Sequence, residues 1–237
     1  MVGQFARRGT LLHGPIYLGF VSLLWLSACA SDGVQELQPD AVTDAAVDGG
    51  GAADVGAPDG PYAQSVVAYN PGTGAGFGQD KMPHVVFGGP QGRGASAGSL
   101  DVVSLGCGGS IVLGLGARSL KDGPGPDLVV YENPFSTWLE LGEVAVSEDG
   151  QTWQTWPCAK DDKVGGYPGC AGVKPVLANA DNGIDPLDPS KAGGDTFDLA
   201  TLGLKRANFV RITDLKTQDC VAPTAGFDLD AIALLHE

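Results

Sequence analysis

Residues 61–237 predict an all-β fold, an antiparallel sandwich or barrel, and separate observations point the same way. Short β-branched or alternating runs recur along the segment, and turn-forming residues stand between them. No window repeats apolar residues at three- and four-residue spacing for more than two turns. The chain's 37 glycines and 16 prolines would interrupt most helices in any case.

The predicted strands are "SVVAY" (65–69), "HVVFG" (84–88), "LDVVSLG" (100–106), "SIVLGLG" (110–116) and "PDLVVYE" (126–132). They continue with "EVAVSE" (143–148), "QTWQTWP" (151–157), "NFVRITD" (208–214) and "FDLDAIALL" (227–235). The clearest local signal is the hairpin "EVAVSEDGQTWQTW", where Val144 and Val146 alternate with polar neighbours and Asp149-Gly150 supplies a tight turn. Trp153 and Trp156 are three apart and face opposite ways in a regular strand. One belongs to the core, and the other to rim packing or a stacking platform for sugar. The last strand places Asp228 and Asp230 on one face, with Ile232 and Leu234 continuing that face as core residues. Such a face would set two carboxylates at the end of a sheet.

The remaining segments organise the chain. Arg7 and Arg8 precede an apolar stretch at 15–26, too short to span a bilayer and suited to a signal peptide over 1–28. It ends in "LSAC", small residues before Cys29, the pattern of a bacterial lipobox in which the Cys29 thiol is acylated (palmitate or a similar chain). Ala30, rather than Asp, after the cysteine favours the outer membrane, on its periplasmic or cell-surface face. Residues 29–60 then form an acidic tether without apolar periodicity, expected to stay flexible. Residues 61–237 are long enough for one domain with a core.

The whole chain carries 14 basic and 28 acidic residues, a net charge of −14. That sign argues against nucleic acid and anionic lipid as partners, leaves the lipid anchor as the link to a membrane, and suits cations and neutral ligands such as sugars. Besides Cys29 the cysteines are Cys107, Cys158, Cys170 and Cys220. An even number in an exported chain favours disulfides. Of the possible pairings, Cys158–Cys170 with Cys107–Cys220 is preferred, because the first closes the loose excursion "CAKDDKVGGYPGC".

"VAVSEDGQTWQTW" and, further on, "ANFVRITD" resemble the V-S-x-D-G-x-x-W and R-Y-V-R-I elements of discoidin-like (F5/8 type C-like, galactose-binding-like) β-sandwiches. More narrowly, the chain is similar to a group of bacterial secreted and surface lipoproteins sharing "GGSIVLGLG", "GPGPDLVVYENPF", "GGDTFDLATLGL" and "GFDLDAI" segments, over residues 88–235. The resemblance implies a jelly-roll sandwich ending in a strand with an acidic residue. It does not carry over ligand residues, since the glycine-rich "GFGQDKMPHVVFGGPQGRGASAGSLD" lacks the Asp-Gly loop and Thr-x-Trp element of the sugar-binding modules.

Carboxylates recur beside glycine in "PDLVVYENPF", "NADNGIDPLDP", "GGDTFDL" and "GFDLDA". Calcium takes six to eight oxygens of this kind, and glycine lets the backbone approach the ion. The expected metal set is Asp195, Asp198, Asp228 and Asp230, with Asp127 and Glu132 behind them. The alternative is that these acids cap turns by accepting backbone N–H bonds. Catalysis finds no constellation: His84 and His236 are the domain's only histidines, no G-x-S-x-G surrounds a serine, and "GGPQGRGASAG" lacks the ending of a phosphate loop. The expected activity is non-catalytic binding of glycan or another surface ligand, with Trp156, Trp138 and Tyr167 as candidate contacts. Alternatives are an assembly lipoprotein that takes a partner by edge-strand addition and a hydrolase built on paired acids.

Overall fold

The structure is a computed structural model and describes residues 59–237 apart from positions 134 and 136. The expected signal peptide, Cys29 and all but the last two residues of the tether lie outside the described residues.

Two antiparallel sheets face each other. One runs β1 (Ser65–Asn70), β3 (Ser110–Gly114), β10 (Phe209–Asp214), β6 (Gly142–Ser147), β7 (Gln154–Thr155). The other runs β2 (Val103–Ser104), β11 (Asp228–Leu234), β5 (Leu128–Glu132), β8 (Asp195–Phe197). A short ladder joins β4 (Leu120–Lys121) to β9 (Arg206–Ala207). Among the described residues, helix is confined to α1 (Pro189–Ala192) and three 3-10 turns. The all-β antiparallel expectation holds.

Alternation builds the core. Ile111 and Leu113 stand opposite Ile212 and Val210, which stand opposite Val144 and Val146. These meet Val103, Leu128, Val130, Phe197, Leu229, Ile232 and Leu234 from the second sheet. Burying each such side chain contributes roughly 1.5–3 kcal/mol. The second sheet is covered on its outer side as well, where Val129, Tyr131, Ala231 and Ala233 pack with Val176, Ala178 and Ala192. That double cover explains why β5 reads "LVVYE" without alternation: all of it is buried.

Three expectations change. "HVVFG" is not a strand: Val86 N donates to Pro83 O and Phe87 N to His84 O, a 3-10 turn over His84–Val86. Val85 and Val86 both enter the same core, which two successive strand residues cannot do. β8 is a strand that was not among those expected. The third concerns β11. Its pairing with β5 shifts between Leu229 and Ala231, so Asp230 is a bulge residue without a ladder partner. The bulge swaps the parity of the strand, and Ile232 and Leu234 share the core with Leu229 while Asp228 and Asp230 do not continue their face. The hairpin is as expected, with Gly150 at φ 74° in its turn.

Both expected disulfides are formed, Cys107–Cys220 with Cα atoms 5.5 Å apart and Cys158–Cys170 with Cα atoms 4.5 Å apart.

Candidate functional site

Antiparallel register carries acids to one end of the second sheet. On β5, Leu128 and Val130 point into the core, and two residues on from Val130 the same face ends in Glu132. On β8, Asp195 pairs with Val130 and so lies on that face too. β11 begins beside them with Asp228, and the connection from β5 to β6 adds Glu140. Glu132 is 1% exposed, Asp195 5% and Glu140 8%.

Their surroundings are mostly negative, with Lys174 the one positive charge acting on Asp195. Burial first, then Asp228 and Glu140, push the Glu132 carboxyl well above the usual carboxylate range. Burial and Asp228 raise Glu140 to about 8, against the indole of Trp138 and the Gly226 N–H, which donate to it. Burial raises Asp195 to about 6, opposed by backbone donors including Val173 N at 2.8 Å. Burial raises Asp228 to about 6, opposed by the Ser104 hydroxyl. No described Lys or Arg pairs with Glu132, Glu140, Asp195 or Asp228. The Asp228 N–H serves one side of Glu132, while its Oε2 is a buried oxygen without a partner among the described residues. Buried polar atoms in native proteins are nearly always bonded, so an orphan calls for a proton, a water or an ion.

The expected metal set therefore divides. Asp195 shares the face of Glu132, which ranked behind it, while Asp228 and Glu140, the latter missed by the sequence reading, act on Glu132 by their charge without the four forming one tight group. Asp198 is elsewhere: with Asp122 and Asp127 it forms a group whose oxygens lie within 4.8 Å of one another. Those oxygens are already engaged. Asp127 accepts Gly123 N and Leu199 N at 2.8 Å each, Asp198 accepts Ala200 N at 2.8 Å, and Asp122 pairs with Lys205. This is the turn-capping alternative in action. Asp230 also stands apart, its two oxygens accepting Gln91 N at 3.1 and 3.0 Å, and burial with Asp101 nearby raises it to about 8. The "NADNGID" stretch is turn chemistry as well, Asn182 Oδ1 accepting Ile184 N and Asp185 Oδ1 accepting Leu187 N. Asn133 holds Ser99 N at 2.8 Å.

The aromatic candidates divide too. Trp156 is 5% exposed, tilted against Phe197, and donates its indole N–H to Asp198 O and Thr201 Oγ1, so it is a core residue and not a stacking platform. Trp153 lies on the sheet's outer face under the Arg211 guanidinium, 4.5 Å from the ring centre. Trp138 is 43% exposed, and its indole reaches Glu140 from the surface. Tyr167 is half-buried and lines a hollow of about 720 Å³ beside Thr137, Leu139, Lys160, Lys163 and Lys216. Nothing in the order of Glu140 or Lys216 along the chain signals these meetings, which arise from strand register and from loops brought together by the two sheets.

A scan against protein-family models finds no match to this chain, and a search of curated proteins finds no relative.

Proposed function

We propose that the chain is an exported, lipid-anchored, non-catalytic binding module, held at the outer membrane through Cys29 and presenting its sandwich to glycan or another surface ligand. Calcium stabilises it at the acidic end of the second sheet. The observation that carries the calcium reading is Glu132 Oε2, buried without a partner among the described residues while the charges of Asp228, Glu140 and Asp195 act on the same carboxyl. A divalent cation supplies the missing partner and removes the repulsion at once, drawing Glu140 and Asp228 toward Glu132. Glu132 and Asp195 face protein rather than a cleft, which fits an ion ligand better than a hydrolase acid. Edge-strand addition has less support: of the edge strands of the two main sheets, β7, β2 and β8 are two or three residues long, and β1, the longest, is bulged in its pairing between Val66 and Ala68, devices that discourage added strands.

The test is thermal unfolding of the full chain in EDTA and across a calcium titration, with Glu132→Gln alongside. Glutamine keeps the shape and removes the charge. The wild type should melt higher with calcium, and the variant should not respond. A wild type indifferent to calcium, or a variant that responds equally, ends the calcium reading. The anchor is tested separately: Cys29→Ser should move the chain from the membrane fraction to the soluble one.

A further inference from the structure

The strongest remaining feature is the hollow of about 720 Å³ lined by Lys160, Lys163, Lys216, Tyr167, Thr217 and Gln218. The domain is strongly acidic, yet three lysines converge here against one lining carboxylate, Asp161, which Lys160 pairs with at the surface, 3.1 Å away. No described acid pairs with Lys163 or Lys216. The lining of the hollow thus carries more positive than negative side chains on an acidic molecule, which presents ammonium groups to an anion even though Asp162 and Asp219 lie on the same loops.

Its walls are built and fixed. Three segments line it, the β5–β6 connection and two loops, and each of the two loops is held by one of the disulfides. Residues 158–170 are pinned by Cys158–Cys170 and by Ala159 N to Pro168 O at 3.0 Å. Residues 214–220 end at the Cys107–Cys220 bridge and are tied to the β5–β6 connection, Thr217 Oγ1 accepting Leu141 N at 3.0 Å and Gln218 Nε2 donating to Leu139 O at 2.8 Å. Buried Asp214 clamps the same loop, accepting Gly108 N at 2.7 Å, Lys216 N at 2.9 Å and Phe227 N at 3.0 Å. Gly108 leaves room for the Lys216 stem: a Cβ there would strike Lys216 Cε. Among the described residues, Tyr167 (φ 54°) and Lys216 (φ 55°) are the only non-glycine residues in the left-handed region, and both line this hollow. Backbone strain of this kind gathers where a side chain must be aimed.

We infer that the hollow binds an acidic saccharide, a short stretch of glycan bearing carboxylate or sulfate groups, with Lys163 and Lys216 on its anionic groups and the Tyr167 ring and Thr217 on its sugar rings. This rests on the ligand-binding reading above and names its ligand class. The chemistry follows from the wall. Ammonium groups on long stems meet anions as point charges, an amphipathic ring covers a sugar face, and hydroxyl and amide groups exchange hydrogen bonds with ring hydroxyls. The volume is within the usual range for a ligand site.

The experiment titrates the full chain, by calorimetry at low and moderate salt, with hyaluronan tetrasaccharide (carboxylates), chondroitin sulfate tetrasaccharide (carboxylates and sulfates), chitotetraose (neutral) and tripolyphosphate (charge without sugar). Lys163→Glu with Lys216→Glu is the test variant, and Lys191→Glu, an exposed lysine outside the hollow's lining, is the control. The expected result is binding of at least one acidic tetrasaccharide at least tenfold tighter than chitotetraose and tripolyphosphate. That binding should weaken at least tenfold in the double variant, whose melting temperature is measured to confirm folding, and be unchanged in Lys191→Glu. Tripolyphosphate binding as tightly as the saccharides, or acidic saccharides binding the double variant undiminished, overturns the inference. Chitotetraose bound in preference overturns it while leaving the glycan-binding reading standing, and no binding of any saccharide counts against both. A folded single variant, Lys163→Glu, on the exposed loop decides the matter if the double variant fails to fold.

Discussion

The turn at Asp149 and the end of β5 at Glu132 treat the same functional group in opposite ways. Asp149 sits in water and accepts Gln151 N at 2.8 Å, Thr152 N at 2.7 Å and the Ser147 hydroxyl at 3.0 Å. Those donors lower it to about 2. Glu132 lies among other acids with too few donors and is pushed far the other way. A carboxylate surrounded by N–H groups is finished chemistry, complete without help. A carboxylate buried among carboxylates is unfinished, and the difference separates acids whose oxygens are satisfied at turns from one whose oxygens are not.

The contrast is most exposed to calcium. With 1 mM calcium and a dissociation constant on the order of 10 µM, the acidic end gains about 2.7 kcal/mol, roughly 5–10 °C in melting temperature for a chain of this size. Asp149→Asn should retain that whole gain, whereas Glu132→Gln should lose it and, in EDTA, melt at or above the wild type. Equal calcium responses in the two variants would break the comparison.

Next in size is Asp230→Ala, which leaves Gln91 N without its acceptor in a buried place and should cost about 1–3 kcal/mol in denaturant unfolding. Asp230→Asn keeps an acceptor and should cost much less near neutral pH.

The pH dependence sharpens the comparison further, because the two regions have opposite signs. Glu140, Asp195, Asp228 and Asp230 have folded-state values raised to between about 6 and 8. The folded state therefore holds protons that the unfolded chain has released, and in EDTA stability should fall as pH rises from about 4 to about 8. Asp149 is depressed, so its contribution is present above about pH 4 and fades as pH falls toward 2. Melting curves across pH should show the alkaline loss reduced by calcium to the share that Asp230 keeps, and the acid limb untouched by it. The smallest effect is Asp149→Ala, a modest loss of stability at pH 7 that vanishes near pH 2. A loss that persists there would mean the turn depends on something besides the carboxylate.

Local features were legible in the sequence. The 143–157 hairpin is written in alternating valines and Asp149-Gly150, and the two disulfides follow from four cysteines and one loose excursion. Features set by distant partners were not. Glu140 stands in "WLELG" without the glycine-rich setting of the other acids, and only the return of β11 beside β5 brings it to Asp228. β8 is three residues long and gains its strand character from β5. The faces of β11 were misread because a bulge leaves no mark in composition, and the separation of Asp198 from Asp195, to lie with Asp122 and Asp127 instead, is set by the return of distant segments rather than by their nearness in sequence.

In the vocabulary of insertions and deletions, Asp230 is a single added residue. Excise it, and Leu229, Ala231, Ile232, Ala233 and Leu234 would alternate without a break, each on the face it occupies now. The strand is complete without it. What the extra residue gives the molecule is a tie to Gln91 from the middle of the second sheet, so the glycine-rich segment following His84 is fastened by the one position in β11 that the core does not require.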